Sequence, residues 1–108
     1  MTMEDSNFNI LAEEMLECLN DGVDDALGDE IDVDMQGGIL TLTLSDGGQY
    51  IINKHAPNRE IWMSSPVSGA THFACHDGRW ISTRDATRVL DEMLAAELQA
   101  KYGVAVQF

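Results

Sequence analysis

Apolar residues recur at Phe8, Leu11, Ala12, Met15, Leu19 and Val23, intervals of three and four that place them on one face of a helix over residues 5 to about 25. Glu13, Glu17, Asp21 and Asp24 are spaced to line the opposite face, with Glu14 beside them. Asp5 or Ser6 stands ready to cap the start, and Gly22 and Gly28 bracket the expected end. The period then shortens to two. Ile31, Val33 and Met35 alternate with Asp32, Asp34 and Gln36, the pattern of a strand with one wet face.

Gly37-Gly38 turns the chain into a second strand over residues 39–44, with Leu40, Leu42 and Leu44 facing one way and Thr41 and Thr43 the other. Asp46-Gly47-Gly48 supplies the next hairpin loop, where glycine takes the positive φ such turns demand. Residues 49–54 and 60–65 read as strands separated by the turn His55-Ala56-Pro57-Asn58. Pro66 and Gly69 then precede a strand over 71–75, and Asp77-Gly78 leads into a short one around Trp80 and Ile81. Loops of hairpin length join every pair, which makes the sheet an antiparallel meander.

Ser82-Thr83-Arg84-Asp85 has the form of a capping box, and Ala86, Val89, Leu90, Met93, Leu94 and Leu98 continue at helical spacing to Gly103. The expected fold is α+β: a two-layer α-β sandwich with N- and C-terminal helices on one face of an antiparallel sheet of five to six strands. Val104, Val106 and Phe108 are apolar enough to tuck against the helices. The sheet's other face looks at water, so its side chains carry information.

A chain of 108 residues has room for one core, so residues 1–108 are read as a single domain. Hydrophobic residues at 44% with two prolines argue for a folded chain despite a net charge of -13. All six Lys and Arg lie from Lys54 onward. Glu13, Glu14, Glu17, Asp21, Asp24, Asp25, Asp29, Glu30, Asp32 and Asp34 arrive before any of them. Nucleic acid is excluded as a partner, because phosphate affinity needs clustered Lys and Arg. Cys18 and Cys75 stand far apart with no C-x-x-C spacing, and both are expected reduced. No apolar run approaches the roughly 20 residues of a membrane span, and no basic signal opens the chain, so a cytoplasmic protein without membrane contact is expected.

The acidic run offers carboxylate oxygens, donors for hard or borderline cations such as Ca²⁺, Mg²⁺, Mn²⁺ or iron. It is not an EF-hand: counted from Asp21, Val23 falls on the third ligand position and Ala26 on the obligatory glycine. Charge alone leaves two readings open, a solvated face and a weak multi-site ledge for cations or a basic partner. In Ile61-Trp62-Met63, alternation puts Trp62 opposite two core residues, exposed as a protein-binding anchor. Trp80 reads as core. Strand parity separates His72 and His76 from Cys75, against a transition-metal site there. No catalytic triad spacing, phosphate loop or dinucleotide fingerprint is present.

The stretch from Tyr50 to Gly69, YIINKHAPNREIWMSSPVSG, strongly resembles the frataxin family, whose bacterial members are the CyaY proteins. Asn53-Lys54, Pro57-Asn58, Ile61-Trp62, Ser64-Ser65-Pro66 and Ser68-Gly69 carry the signature, and the resemblance extends over essentially the whole chain. It implies a non-enzymatic iron-binding protein of iron-sulfur cluster assembly, with Fe²⁺ and Fe³⁺ weakly bound along the ten carboxylates named above. It also implies docking to a cysteine desulfurase and the scaffold protein through that ridge and the surface of Asn53, Lys54, Trp62 and Ser64. A monomer is expected, with iron-dependent oligomers as a further state. The alternative drawn from the family is a ferroxidase, iron-storage or iron-chaperone protein oxidising Fe²⁺ at the ridge. His55, Glu60 and His72 depart from the residues common in relatives, as does Asn9.

Overall fold

The computed structural model describes residues 5–108, with side chains from Asn7 onward. Helix α1 (Asp5–Leu27) is followed by β1 (Asp32–Gln36), β2 (Ile39–Thr43), β3 (Gln49–His55), β4 (Glu60–Ser65), β5 (Gly69–His76) and β6 (Arg79–Ser82), and α2 (Leu90–Tyr102) closes the fold. The strands form one six-stranded antiparallel sheet in chain order, as a meander joined by short loops must. Gly37 and Gly38, at φ 56° and 80°, make the β1–β2 turn in the left-handed region that a side chain would disfavour.

Both helices cover the same face of the sheet. Phe8, Ala12, Leu16, Leu19, Val23 and Leu27 from α1 and Leu90, Leu94 and Leu98 from α2 meet Leu40, Leu42, Tyr50, Ile52, Ile61, Met63, Phe73 and Trp80 in one core. Trp80 is 2% exposed and packs edge-on against Phe8, with ring centroids 6.1 Å apart. The buried stripe of α1 includes Leu16, while Leu11 and Met15 lie half-buried at its border.

Helix α1 ends at Leu27, within the expected bracket of Gly22 and Gly28; a Cβ on Gly22 would lie 2.5 Å from the Phe108 ring and 2.6 Å from the Gln107 carbonyl. Gly22 is the point where the C-terminal tail crosses the helix, and the absence of a side chain permits that approach. Val106 is buried under this crossing, and Phe108 stays 36% exposed. The expected caps Asp5 and Ser6 lie outside the residues whose side chains are described.

The segment Ser82-Thr83-Arg84-Asp85 does not cap α2. Ser82 is still paired in β6, opposite Phe73, and its Oγ accepts the backbone N–H groups of Arg84 and Asp85. Asp85 Oδ1 in turn accepts the Thr87 N–H, and Ile81 bridges Val89, so this stretch is a turn folded back on the sheet. The helix starts at Leu90, with Val89 as an extended N-cap that makes no side-chain cap bond. Asp91 and Glu92 place negative charge in its first turn, where the helix dipole favours it. Gly103 ends the helix at φ 69°, with its N–H bonded to the Gln99 carbonyl.

Candidate metal ledge and docking face

All ten carboxylates of the acidic run are exposed. Successive residues of a helix turn by about 100°, which sends them to different flanks of α1. Glu13 and Glu17 border a surface hollow of about 550 Å³ with Met35, Gly37, Gly38 and Lys54, over the β1–β2 turn. Glu14 lies on the other flank, against Met15, Cys18, Cys75 and Trp80. Asp29 and Glu30 occupy the turn leading into β1.

Strand register decides where the last two point. Val33 and Met35 pair with the buried Leu42 and Leu40, so they belong to the helix side. Asp32 and Asp34 pair with Thr43 and Thr41 and therefore project from the open face. The ridge is thus a ledge wrapped around the edge strand, with Glu13 and Glu17 above it and Asp32 and Asp34 below. Lys54 is the sole Lys or Arg bordering the hollow among the described residues, its Nζ 3.2 Å from Glu13 Oε1. Elsewhere Arg79 pairs with Glu92, Arg88 with Asp85 and Lys101 with Asp46.

Among the described residues, no three His, Cys, Asp or Glu side chains converge as a preformed metal cage. The ledge's donors are solvent-facing carboxylate oxygens, the donor type that suits hard or borderline cations.

The open face of the sheet continues from that ledge. One cross-strand row runs Gln36, Ile39, Asn53, Trp62, His72, and the neighbouring row runs Asp34, Thr41, Ile51, Ser64, Ala70. Trp62 stands on this face, opposite the buried Ile61 and Met63, as alternation requires. It is half-buried rather than free, because His55 and His72 stack on its two sides at centroid distances of 3.6 and 4.1 Å. Its Nε1–H donates to Glu60 Oε1 at 2.8 Å, and His72 Nδ1 lies 3.8 Å from the same oxygen. Ile39 and Ile51, 45% and 40% exposed, add apolar surface beside it.

Of the four residues expected to meet a partner, Asn53, Trp62 and Ser64 share this face. Lys54 does not. It projects from the helix side of β3 and joins the ledge through Glu13. His72 and His76 share the open face while Cys75 turns inward against the core, so these three residues form no common site.

The serines of the signature are mostly structural. Ser65 and Ser68 donate to the two carboxylate oxygens of Glu97 on α2, at 2.6 Å each, and Tyr50 Oη donates to Oε1 at 2.8 Å. Ser65 Oγ also accepts the Val67 and Ser68 N–H groups, closing the β4–β5 turn. Burial, reinforced by the Glu97 carboxylate, pushes the Tyr50 phenol well above its ordinary range. Sequence periodicity gave no sign of Glu97, since it sits between core positions on a helix and its partners lie on another layer.

The frataxin-like domain matches residues 1–104. The chain is 37% identical over 105 residues to the iron-sulfur cluster assembly protein CyaY of Neisseria meningitidis serogroup B, covering 97% of this chain and 95% of that one. It is 33% identical over 112 residues to the mitochondrial frataxin homolog of Schizosaccharomyces pombe, covering 98% of this chain and 70% of that one. Among solved structures it is similar to frataxin from Psychromonas ingrahamii, with a TM-score of 0.85, 25% identity and 97% of each chain covered. It is also similar to trimeric frataxin from the yeast Saccharomyces cerevisiae in its ferrous complex, with a TM-score of 0.69, 32% identity, and 93% and 87% of the two chains covered.

Proposed function

We propose that this chain, which belongs to the frataxin family, acts in iron-sulfur cluster assembly as an iron-binding modulator of the cysteine desulfurase and its scaffold. The observation that carries this reading is continuity. The carboxylate ledge runs into the open sheet face through the rows that join Asp34 to Ser64 and Gln36 to Trp62, so metal and partner address one surface.

Fe²⁺ or Fe³⁺ would be held by Glu13, Glu17, Asp24, Asp29, Glu30, Asp32 and Asp34, with Glu14, Asp21 and Asp25 adding field from the other flank. The hard oxygen donors and their exposure support weak, exchangeable binding. The same charge would meet a basic patch on the desulfurase, while Asn53, Trp62 and Ser64 meet the scaffold. Lys54, already paired to Glu13, sets the local competition: a cation entering the hollow displaces an ammonium. The name of the Neisseria relative and the ferrous complex of the yeast relative support the iron-sulfur and iron halves of this reading.

An anaerobic Fe²⁺ titration followed by NMR tests it. Paramagnetic broadening is expected at α1 residues 13–24 and at β1, and is expected to spare β5 and β6. Broadening spread evenly over the surface, or none below millimolar iron, overturns the ledge assignment. Oxidation of Fe²⁺ with turnover faster than free iron in the same buffer would instead favour a ferroxidase.

A further inference from the structure

The flank of α1 that faces away from the ledge carries Leu11, Met15 and Cys18 at helical spacing. With Cys75, Gly78 and Trp80 these residues line a crevice of about 180 Å³ between α1 and the β5–β6 hairpin. The chain has two cysteines, from elements nearly sixty positions apart in sequence, and both line this one crevice together with a thioether. Both thiols are free and half-buried.

We propose that Met15, Cys18 and Cys75 form a binding site for a soft monovalent metal ion, copper(I), held by two thiolates and one thioether. Thiolate and thioether sulfur select soft cations, as the carboxylate ledge on the opposite flank selects hard ones. The three sulfurs thus gather on one flank of the helix, in a crevice that Glu14 also borders. A low-coordinate ion suits a small crevice floored by the indole of Trp80.

Burial raises the ordinary thiol range of both cysteines, with Asp91 and Asp21 adding to the effect at Cys18 and Asp77 at Cys75. Backbone donation from Gly78 acts the other way at Cys75. Ligation as thiolate releases protons, so affinity rises with pH.

The test is an anaerobic titration of the reduced, metal-free full chain with copper(I), in competition with a colorimetric copper(I) chelator. One equivalent is expected to bind, with near-ultraviolet thiolate-to-copper absorption. Cys18→Ser and Cys75→Ser should each weaken binding by more than about tenfold, at least what loss of an outer-sphere partner does at metal sites. Met15→Leu should weaken it less, and the ledge variant Glu13→Gln/Glu17→Gln should leave it unchanged. Should Cys75→Ser fail to fold, the helix-flank variant Cys18→Ser carries the comparison. A wild-type chain that takes copper from the chelator no better than Cys18→Ser does overturns the site.

Discussion

Trp62 shows how one residue's role depends on neighbours that sequence distance hides. Its face followed from alternation, but its setting did not, because His55 and His72 reach it only through the β3–β4 and β4–β5 pairings. The two imidazoles and Glu60 fix the indole in one orientation, which lowers the entropy lost when a partner binds it. Trp62→Ala should spare the fold, since the ring lies outside the core, and should weaken a partner complex by about 2 kcal/mol or more, as aromatic hot spots do. Paired thermal melts and binding titrations check this; a large fall in melting temperature would place the ring in the core instead.

Glu97 is the converse case, a charged residue whose role is to hold the fold. It accepts three hydroxyl donors from β3, β4 and the β4–β5 turn. Glu97→Ala leaves those hydroxyls without their acceptor and should cost about 1–3 kcal/mol in a denaturant melt. The phenol of Tyr50 gives the pH dependence. Its folded value is raised, so above the ordinary value of about 10 the unfolded chain loses that proton while the folded chain keeps it. The contribution is whole below that pH and declines as pH rises beyond it. Alkaline unfolding should be steeper for the wild type than for Tyr50→Phe, and identical alkaline limbs would contradict the burial of this hydroxyl.

At the scale of elements, periodicity located every strand and both helices, because each element buries one face and the apolar positions record which. Pairing of that record with turn glycines also made the meander legible. What it missed lies in contacts across elements. Gly22 was legible as one bracket of the helix end, but not as the crossing point for the C-terminal tail that it also is. Ser82 to Asp85 has the letters of a capping box, yet Ser82 pairs in β6 and its hydroxyl closes a local turn, while the helix starts five residues beyond Asp85, at Leu90.

The same failure affects the ledge. Ten acidic residues were legible as a run, but helix and strand geometry distribute them over both sides of the β1 edge and both flanks of α1. Gly22→Ala tests the crossing. Ala favours a helix interior by about 1 kcal/mol over Gly, so a local view predicts a gain. The contact with Gln107 and Phe108 predicts a loss, with faster amide exchange at residues 104–108.

Over the whole molecule, one edge of the sheet is acidic and the other mixed. The ledge lies at the first, while at or just beyond the second Arg79 and Arg88 are paired with Glu92 and Asp85. A molecule polarised in this way approaches a basic surface in a preferred orientation. If it docks on a desulfurase as proposed, the affinity should fall with salt as the Debye length shrinks from about 8 Å at physiological ionic strength to about 3 Å at 1 M. Affinity that holds constant over that range would show that the ledge takes no part in docking. Among the described residues no helix is long and apolar enough to cross a membrane.

Cluster assembly by purified desulfurase and scaffold, timed with and without this protein while Fe²⁺ is varied, addresses the shared surface most directly. The wild-type chain should change the rate in an iron-dependent manner. Trp62→Ala should abolish the change, and Asp32→Asn/Asp34→Asn should remove its dependence on iron. A rate indifferent to the wild-type protein, or altered equally by all three chains, would contradict the account.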